Sequence, residues 1–370
     1  MEQVAAFTDT YLPTINGVSY TVREWRDRWL SRGGRMDVVY PAAPDHDPGP
    51  GEHPVRSVPF PFYDGFRLGT PQVPRSVRDV DLAHAHTPFT LGAAAWRLAR
   101  RENLPLVASY HTPSAEYAEY LAPSRAFVGP IRRASRGYER RFFERTDLVL
   151  APSTTTADHI RTTVGIETPV EVVPNGVDTD RFRPVDPAEF RAAHDLGDGP
   201  IVGYTGRHGY EKRLGDLVDA AAGLDATVLF GGDGPARLDL EARARNRDGD
   251  VRFLGFLDRE ALPSFYSALD VFVFPSPVET QGIVALEANA CGTPVVGADA
   301  GALAETVRDG ETGYRFPVGD VEAMTVATER ALAERTRLSK ACLDRRETIS
   351  VERTVDQLDD LYDSVADPSR

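Results

Sequence analysis

Two glutamates that lie eight positions apart, Glu279 and Glu287, are the first side chains whose types and spacing indicate chemistry. A carboxylate offers two acceptor oxygens, so each glutamate can hold a vicinal diol such as that of a ribose or a hexose. Most charged residues are simply solvated, and two surface glutamates would need no function. This pair, however, lies on a predicted strand–turn–helix segment punctuated by Gly and Pro. We therefore interpret both glutamates as ligand-binding residues.

The segment that carries the pair has the pattern of a buried strand, a tight turn and a helix. Residues 271–274 are apolar and β-favouring, and the strand they predict ends at Pro275. Gly282 permits a turn in which backbone N–H groups come close to a ligand. Residues 283–290 favour a helix that stops near Gly292. Because the first turn of a helix leaves N–H groups unpaired, the segment predicts an anion site framed by the two carboxylates.

Two cations follow another predicted strand, at residues 201–206, and would lie at the same edge of the same sheet. They are Arg207 and Lys212, and Lys212 is one of only two lysines in the chain. A nucleoside diphosphate that leaves a sugar develops further negative charge, and cations held at that position stabilise it selectively. The pattern predicts transfer from a nucleotide sugar without the help of a divalent metal.

Together these motifs resemble those of the family 4 glycosyltransferases, which are retaining enzymes of GT-B fold. The Glu-x7-Glu spacing and the sequence Thr-Pro-Val-Val at 293–296 match the family signature. Asn-Gly-Val at 16–18 matches the family's N-terminal glycine loop, and Pro-Asn-Gly-Val-Asp at 174–178 matches its interdomain linker. Glu-Thr-Gln-Gly at 279–282 is most similar to members that glycosylate diacylglycerol-type lipids.

The resemblance implies an α/β protein with two Rossmann-like parallel-sheet domains that face each other across a cleft. Residues 1–173 would form the N-terminal, acceptor-side domain, and residues 174–350 would form the domain that binds the nucleotide sugar. A helix within 351–370 would cross back to the first domain. The length of 370 residues suits two domains that each bury a core. Residues 41–75, rich in Pro, Gly and Asp, predict one strand near 55–58 and otherwise surface loops.

The resemblance also implies roles for individual residues. The implied catalytic residues are Glu279, His86, Arg207 and Lys212. The implied donor-binding residues are Gly17, Arg207, Lys212, Gly282, Glu279, Glu287 and Leu254. In this scheme Glu287 holds the ribose, Glu279 the sugar hydroxyls and His86 the transferred sugar. The nucleotide sugar is a co-substrate, and no metal site or other cofactor is expected.

The acceptor side is indicated by a basic and aromatic stretch, residues 115–145, with seven arginines in an otherwise acidic chain. Such a composition favours peripheral contact with an anionic membrane. Alternatively, its second half is a helix whose Glu139 and arginines form ordinary surface ion pairs. The candidate acceptor-side residues are His111, Tyr117, Arg132 and Arg133. The expected acceptor is a hydroxyl of a membrane glycerolipid, and the alternative is a lipid-linked or soluble glycan.

The composition argues against several other classes of protein. A formal net charge of −14 disfavours a nucleic-acid partner, and no stretch reaches the roughly 18 apolar residues of a membrane helix. The N-terminus has no basic segment, and Cys291 and Cys342 match no metal-binding or disulfide spacing. We therefore expect a cytoplasmic protein that works at the inner face of the cell membrane. Because only two of the 42 basic residues are lysines, the acidic surface suits a high-salt cytosol, although a GC-rich genome would also favour arginine.

Two other classes share parts of this pattern. A sugar-nucleotide epimerase of the same fold would turn over its substrate without any acceptor. A catalytically silent subunit would only bind nucleotide, and it would have no reason to retain Glu279, Lys212 and Glu287 together. The sequence therefore predicts a retaining hexosyltransferase that uses a UDP- or GDP-hexose.

Overall fold

The computed structural model describes residues 1–44, 46–60, 66–113 and 125–366, except the side chains at positions 125 and 126. The chain divides into two compact units. The first comprises Met1–Gly176 with the described part of Val351–Arg370, and the second comprises Val177–Ser350. Tyr117, one of the candidate acceptor-side residues, lies outside the described residues.

Parallel strands form the centre of the first unit. Its strands are β1 (Gln3–Phe7), β2 (Arg35–Pro41), β3 (Glu52–Val55), β4 (Ser57–Pro59), β5 (Arg67–Gly69), β6 (Leu82–Ala85), β7 (Leu106–Ser109), β8 (Leu148–Ala151) and β9 (Val170–Val172). Seven of them form one sheet in the order β3-β2-β1-β6-β7-β8-β9, with every pairing parallel. The residues of β6 are buried without alternation, because a parallel sheet is covered on both faces.

The structure corrects the single strand predicted near residues 55–58. Two strands lie there, and Arg56 separates them. β3 pairs with β2 at the edge of the large sheet, whereas β4 pairs antiparallel with β5 in a small hairpin. A run of β-favouring residues does not indicate where the chain changes from one partner strand to another, so the two strands were predicted as one.

Helices of the first unit cover its sheet. They are α1 (Gly17–Ser31), α2 (Thr90–Glu102), α3 (Arg125–Phe143) and α4 (Thr154–His159), which continues as a π turn (Ile160–Val164), and a 3-10 turn lies at Arg75–Val77. The side chain of Asn16 accepts from the backbone N–H of Ser19, and the Ser19 hydroxyl accepts from the Asn16 N–H. This capping box begins α1 directly after Asn16. Trp25 and Trp29, one turn apart on α1, are buried against the sheet.

The second unit is also built on a parallel sheet. Its strands are β10 (Ile201–Thr205), β11 (Thr227–Gly231), β12 (Asp250–Gly255), β13 (Val271–Phe274), β14 (Val295–Ala298) and β15 (Gly313–Phe316). Their order is β12-β11-β10-β13-β14-β15, and every pairing is parallel. Strand order reverses between β10 and β13, and open α/β sheets bind ligands beyond the carboxyl ends of their strands at such a point.

Helices of the second unit follow its strands. They are α5 (Ala188–Ala193), α6 (Leu214–Ala220), α7 (Arg237–Arg245), α8 (Leu262–Ala268), α9 (Ile283–Ala290), α10 (Leu303–Thr306), α11 (Val321–Ala333) and α12 (Arg335–Asp344). Short 3-10 turns lie at Tyr210–Lys212, Ala221–Gly223 and Arg346–Ile349. The predicted strand at 271–274 and the predicted helix at 283–290 are both confirmed at the expected residues.

The final helix, α13 (Val351–Ala366), belongs to the first unit. It buries Val351, Val355, Leu358 and Tyr362, whose spacing places them on one helical face. The ring of Tyr362 meets Trp29 of α1 edge-on, with 5.2 Å between centroids. Each large apolar side chain buried in this way contributes about 1.5–3 kcal/mol, so this face holds α13 on the first unit.

Candidate active site

At the carboxyl edge of the second sheet, Lys212 contacts Glu279. Strands β10 and β13 are neighbours, so the loops that follow them leave the same edge of the sheet side by side. Nζ of Lys212 donates to Oε1 of Glu279 at 2.5 Å, and each side chain is only 13% exposed. The ammonium also lies 5.9 Å from the centre of the Phe274 ring. The two residues are 67 positions apart, and the fold brings them together as a partly buried ion pair.

Arg207 lies in the loop after β10 and is also paired with a carboxylate. Its guanidinium contacts Glu211, which is buried, whereas Arg207 itself is partly exposed. Tyr204 lies beneath this loop, and burial raises the pKa of its hydroxyl, so the residue stays neutral. Sequence reasoning did not identify Glu211. Its position four residues after an arginine was the available signal, because that spacing brings two side chains together in a helical turn. Each candidate cation is therefore balanced by an acid.

Gly282 forms the turn that begins α9. It has a φ of +77°, in the left-handed region that favours glycine. A Cβ at this position would lie 2.7 Å from Cδ2 of Leu303. Both facts require glycine here, and they allow the backbone to enter α9 directly after the Glu279 loop. The unpaired N–H groups of the first turn of α9 add partial positive charge at this edge of the sheet.

Glu287 is held inside the second unit by two side chains. Its Oε2 accepts from the hydroxyl of Tyr266 at 2.8 Å, and its Oε1 lies 3.3 Å from Nη1 of Arg259. The guanidinium of Arg259 packs over the ring of Phe182 at 5.1 Å. Burial, with the nearby carboxylate, raises the pKa of the Tyr266 hydroxyl. The sequence contained no spacing signal for either partner, because Tyr266 lies 21 positions away on α8 and Arg259 lies 28 positions away.

A buried histidine and a glycine turn also lie at this edge of the sheet. Nε2 of His208 lies 3.1 Å from the carbonyl oxygen of Gly231, and burial lowers the pKa of the imidazole. The N–H of Gly232 donates to the carbonyl oxygen of Gly255 at 2.6 Å, which ties the ends of β11 and β12 together. Leu254, a predicted donor-binding residue, is half-buried on β12 and packs against the core. Sequence reasoning did not single out His208.

Three histidines meet at the carboxyl edge of the first sheet. Nδ1 of His86 lies 3.2 Å from Nε2 of His111, and their rings stack nearly parallel. His84 is held by Tyr362 and Ser109, at 2.6 Å and 2.8 Å. Burial lowers the pKa of His84 to about 3 and that of His111 to about 4. Burial, with the help of its two neighbours, holds the pKa of His86 well below its ordinary value. All three imidazoles are therefore neutral near pH 7.

The environment of His86 points to an external hydrogen-bond partner. Its Nε2 is buried and has no hydrogen-bond partner within the described part of the chain. The ring of Trp25 lies 5.6 Å away and orients the imidazole. The loop that carries His86 is fixed by Asp9, whose carboxylate accepts from the hydroxyls of Thr87 and Thr90, each at 2.6 Å. Asp9 was not identified from the sequence, since a lone carboxylate after a strand carries no spacing signal.

The other residues predicted for the first unit are placed as follows. Gly17 is the first residue of α1, directly after the cap at Asn16. On α3, Arg132 is half-buried and Arg133 is exposed. The surface position expected for Glu139 is wrong, because Glu139 is buried, and it accepts from the hydroxyl of Tyr110 at 3.4 Å.

None of the described helices has both the length and the apolar composition needed to cross a membrane. Nor do the described residues contain three or more His, Cys, Asp or Glu side chains grouped so that they could hold a metal ion.

The fold is of the GT-B type found in glycosyltransferases, which confirms the predicted fold class. Among solved structures, sucrose-phosphate synthase from Thermosynechococcus elongatus has a TM-score of 0.79 and 25% sequence identity, and the match covers 98% of this chain and 99% of that chain.

Sequence relatives identify the family. The family model described as Glycosyltransferase Family 4 matches residues 15–181, and the model described as Glycosyl transferases group 1 matches residues 186–347. The GDP-mannose-dependent alpha-mannosyltransferase of Mycolicibacterium smegmatis is 32% identical over 350 residues, which cover 90% of each chain. The alpha-monoglucosyldiacylglycerol synthase of Streptococcus pneumoniae is 27% identical over 315 residues, which cover 80% of this chain and 70% of that protein. The chain belongs to glycosyltransferase family 4, as its motifs predicted.

Proposed function

We propose that the protein transfers a hexose, with retention of anomeric configuration, from a nucleoside diphosphate sugar to a hydroxyl of a membrane glycerolipid. The observation that carries this proposal is the partly buried Lys212–Glu279 pair beside the first turn of α9. It places a cation, a carboxylate and a helix N-terminus at one edge of the sheet. These are the groups that a diphosphate and a sugar hydroxyl require.

Charge balance suggests how the diphosphate is held. Lys212 and Arg207 are each neutralised by a carboxylate, so the cluster carries no large positive charge before the donor binds. The first turn of α9 after Gly282 supplies further attraction for an anion. In the transition state the departing diphosphate gains negative charge, and Lys212 and Arg207 stabilise it more strongly than the ground state. In this proposal no metal ion takes part.

Glu279 and Glu287 have separate roles in the proposal. Oε1 of Glu279 accepts from Lys212, and Oε2 is the acceptor that we assign to hydroxyls of the transferred sugar. Glu287 is oriented by Tyr266 and Arg259, and we assign it to the ribose diol. Because its neighbours hold the buried carboxylate before the donor arrives, little ordering is needed on binding.

His86 is assigned to the transferred sugar as a neutral hydrogen-bonding group. Burial among His84 and His111 keeps the imidazole uncharged near pH 7. Nε2 therefore donates to or accepts from a sugar hydroxyl, depending on the tautomer. We do not assign it a role as a cationic acid.

The donor nucleotide and the acceptor are assigned from the relatives together with the motifs. The match to a GDP-mannose-dependent enzyme makes GDP-mannose the first donor to test, with UDP-glucose as the second. The match to a glucosyldiacylglycerol synthase supports a glycerolipid acceptor. Exposed arginines on α3, among them Arg133, support contact with anionic lipid at the inner face of the membrane.

One assay tests these assignments together. The protein is incubated with radiolabelled GDP-mannose or UDP-glucose and with vesicles of mixed diacylglycerol and phosphatidylglycerol, and the products are partitioned between butanol and water. The proposal expects label in the butanol phase, an α-linked product by NMR, and full activity in EDTA. Label confined to a water-soluble glycan would refute the lipid acceptor. Turnover of the donor without any acceptor would identify an epimerase or hydrolase, and activity lost in EDTA and restored by magnesium would refute metal independence.

A further inference from the structure

A groove in the first unit lies outside the residues assigned above. It has a volume of about 760 Å³, within the range of small-molecule sites. Its walls are residues 42–44 after β2, residues 56–58 at β4, and residues 67–71 at and after β5. We call it the hairpin groove, and its lining includes Pro44, Arg56, Val58, Arg67 and Leu68.

The hairpin groove is largely apolar although it is open to solvent. Val58 and Leu68 are directly opposite each other in the antiparallel hairpin. Val58 is 61% exposed, an unusual environment for a valine on a strand. Pro44 and neighbouring alanines add further apolar surface. Such a lining gains free energy when a hydrocarbon chain covers it.

Two arginines, Arg56 and Arg67, line the groove. Nε of Arg67 donates to the carbonyl oxygen of Ala42 at 2.9 Å and to the hydroxyl of Ser57 at 2.8 Å, and both acceptors are neutral. Arg56 is exposed. Neither arginine forms an ion pair with a carboxylate of the described residues, even though acids outnumber bases by 14 in the chain. An anion on the ligand would supply the missing charge.

The groove therefore combines a hydrocarbon surface with two arginines that form no ion pair with a carboxylate of the described residues.

The sheet topology places the groove close to the histidines. The loops after β2 and after β6 leave the same carboxyl edge of the sheet, because all strands are parallel. Only β1 lies between β2 and β6, so the two strand ends are about 10 Å apart at the usual strand spacing. A glycerolipid can bridge this distance, with an acyl chain in the groove and a free hydroxyl toward His86.

We infer that the hairpin groove binds an anionic glycerolipid, with part of an acyl chain along Val58 and Leu68 and its phosphate beside Arg56 and Arg67. This inference rests on the proposed transfer to a glycerolipid and specifies the chemical class of the acceptor. Such a lipid differs from other candidate ligands because it carries both an acyl chain and a negative charge. A free phosphate compound would use only the arginines, and neutral diacylglycerol only the apolar wall.

Binding of soluble short-chain lipids tests the inference without any need for turnover. Isothermal titration of the full chain is performed with dihexanoyl phosphatidic acid, dihexanoyl phosphatidylcholine and glycerol 3-phosphate, each below its aggregation threshold. We expect the phosphatidic acid to bind at least tenfold more tightly than either of the others. Equal affinity for glycerol 3-phosphate would overturn the inference in favour of a free-phosphate site, and equal affinity for phosphatidylcholine would overturn the role of charge.

Two variants with matched controls locate the binding. Arg56→Gln should weaken the binding of phosphatidic acid about tenfold, as the loss of a charge-assisted contact does. Val58→Ser should weaken it three- to tenfold. The controls are Arg183→Gln, at an exposed arginine of the second unit, and Val326→Ser, at a valine that is 58% exposed on α11. Folded Arg56 and Val58 variants that bind as the controls do would overturn the inference.

The transfer assay and the binding experiment distinguish a failure of the groove assignment from a failure of the proposed function. If the transfer assay yields a labelled lipid while the groove variants bind and react normally, the glycosyltransferase proposal stands and the groove assignment fails. If phosphatidic acid binds in the groove but no donor labels any lipid, the groove assignment stands and the proposed acceptor reaction fails.

Discussion

Lys212→Ala is the most informative single change, because it perturbs a partly buried ion pair and a proposed transition-state contact at once. The pair is 2.5 Å apart with each partner 13% exposed. At an effective dielectric constant of about 20, the gross Coulomb attraction is about 6–7 kcal/mol, and the desolvation of both ions offsets most of it. Removing one partner leaves Glu279 partly buried and unpaired, so we expect a stability loss of about 1–3 kcal/mol.

The catalytic effect of the same change is expected to be larger than the loss of stability suggests. Loss of a cation that acts on the leaving group typically lowers turnover about 10²-fold, and at least tenfold is expected here at saturating donor. Steady-state kinetics with saturating GDP-mannose and UDP-glucose, together with urea denaturation, measure the two effects separately. Lys340→Ala is the matched control, since Lys340 is the chain's only other lysine and is exposed on α12. We expect it to change neither quantity.

The double variant Lys212→Ala/Glu279→Gln separates electrostatics from catalysis. Removing the orphaned charge should return the stability to within about 1 kcal/mol of the wild type, whereas turnover should stay low. Full activity of Lys212→Ala would refute the leaving-group role. Recovery of turnover in the double variant would show that the defect of Lys212→Ala came from the unpaired carboxylate. If Lys212→Ala were as stable as the wild type, the ion pair would make no significant contribution to stability.

Further predictions concern pH, backbone conformation and salt. His84 has a pKa of about 3 when folded and about 6.5 in its ordinary environment, so the unfolded state binds more protons between these values and stability falls as the pH is lowered. We expect His84 alone to lower the free energy of unfolding by about 2 kcal/mol between pH 6.5 and 4.5. His84→Asn should therefore make the stability measured by urea denaturation less dependent on pH. The same pH dependence in the variant and the wild type would contradict this. Gly282→Ala should lower the free energy of unfolding by about 3 kcal/mol, because of its positive φ and the contact with Leu303. Gly310 has a φ of +72° but open space around its Cβ, so Gly310→Ala should lower the free energy of unfolding by only about 1 kcal/mol. If thermal unfolding showed the same loss of stability for both variants, the Leu303 side chain would have moved to make room for the new Cβ. Finally, the net charge of −14 predicts a melting temperature that rises as KCl is raised to molar concentration, because salt screens self-repulsion. A melting temperature indifferent to salt would refute a high-salt adaptation.

Local patterns were sufficient for the elements around the candidate site. The strand at 271–274 and the helix at 283–290 were predicted from apolar runs bounded by Pro275, Gly282 and Gly292, and the structure has them at those residues. These signals are local, because a β-favouring run, a positive-φ glycine and a helix stop each act on neighbouring residues.

Longer-range features of the fold did not follow from such signals. One strand was predicted near residues 55–58, where the structure has two, because the change from β3 to β4 at Arg56 depends on which partner each strand finds. The hairpin groove arises from this change and had no sequence signature. Glu139 was misplaced on the surface because its charge indicated solvent, whereas the fold buries it beside Tyr110.

The sequence by itself determined the types of chemical group available at the edge of the second sheet: Arg207, Lys212, Glu279 and Glu287 with a glycine turn. Only the tertiary structure decided their partners. Lys212 meets Glu279 because β10 and β13 are adjacent, and Glu287 meets Tyr266 because α8 and α9 pack in the same unit. Side-chain type is a property of one residue, whereas an ion pair between residues 67 positions apart depends on strand order and register, which packing of the whole unit selects.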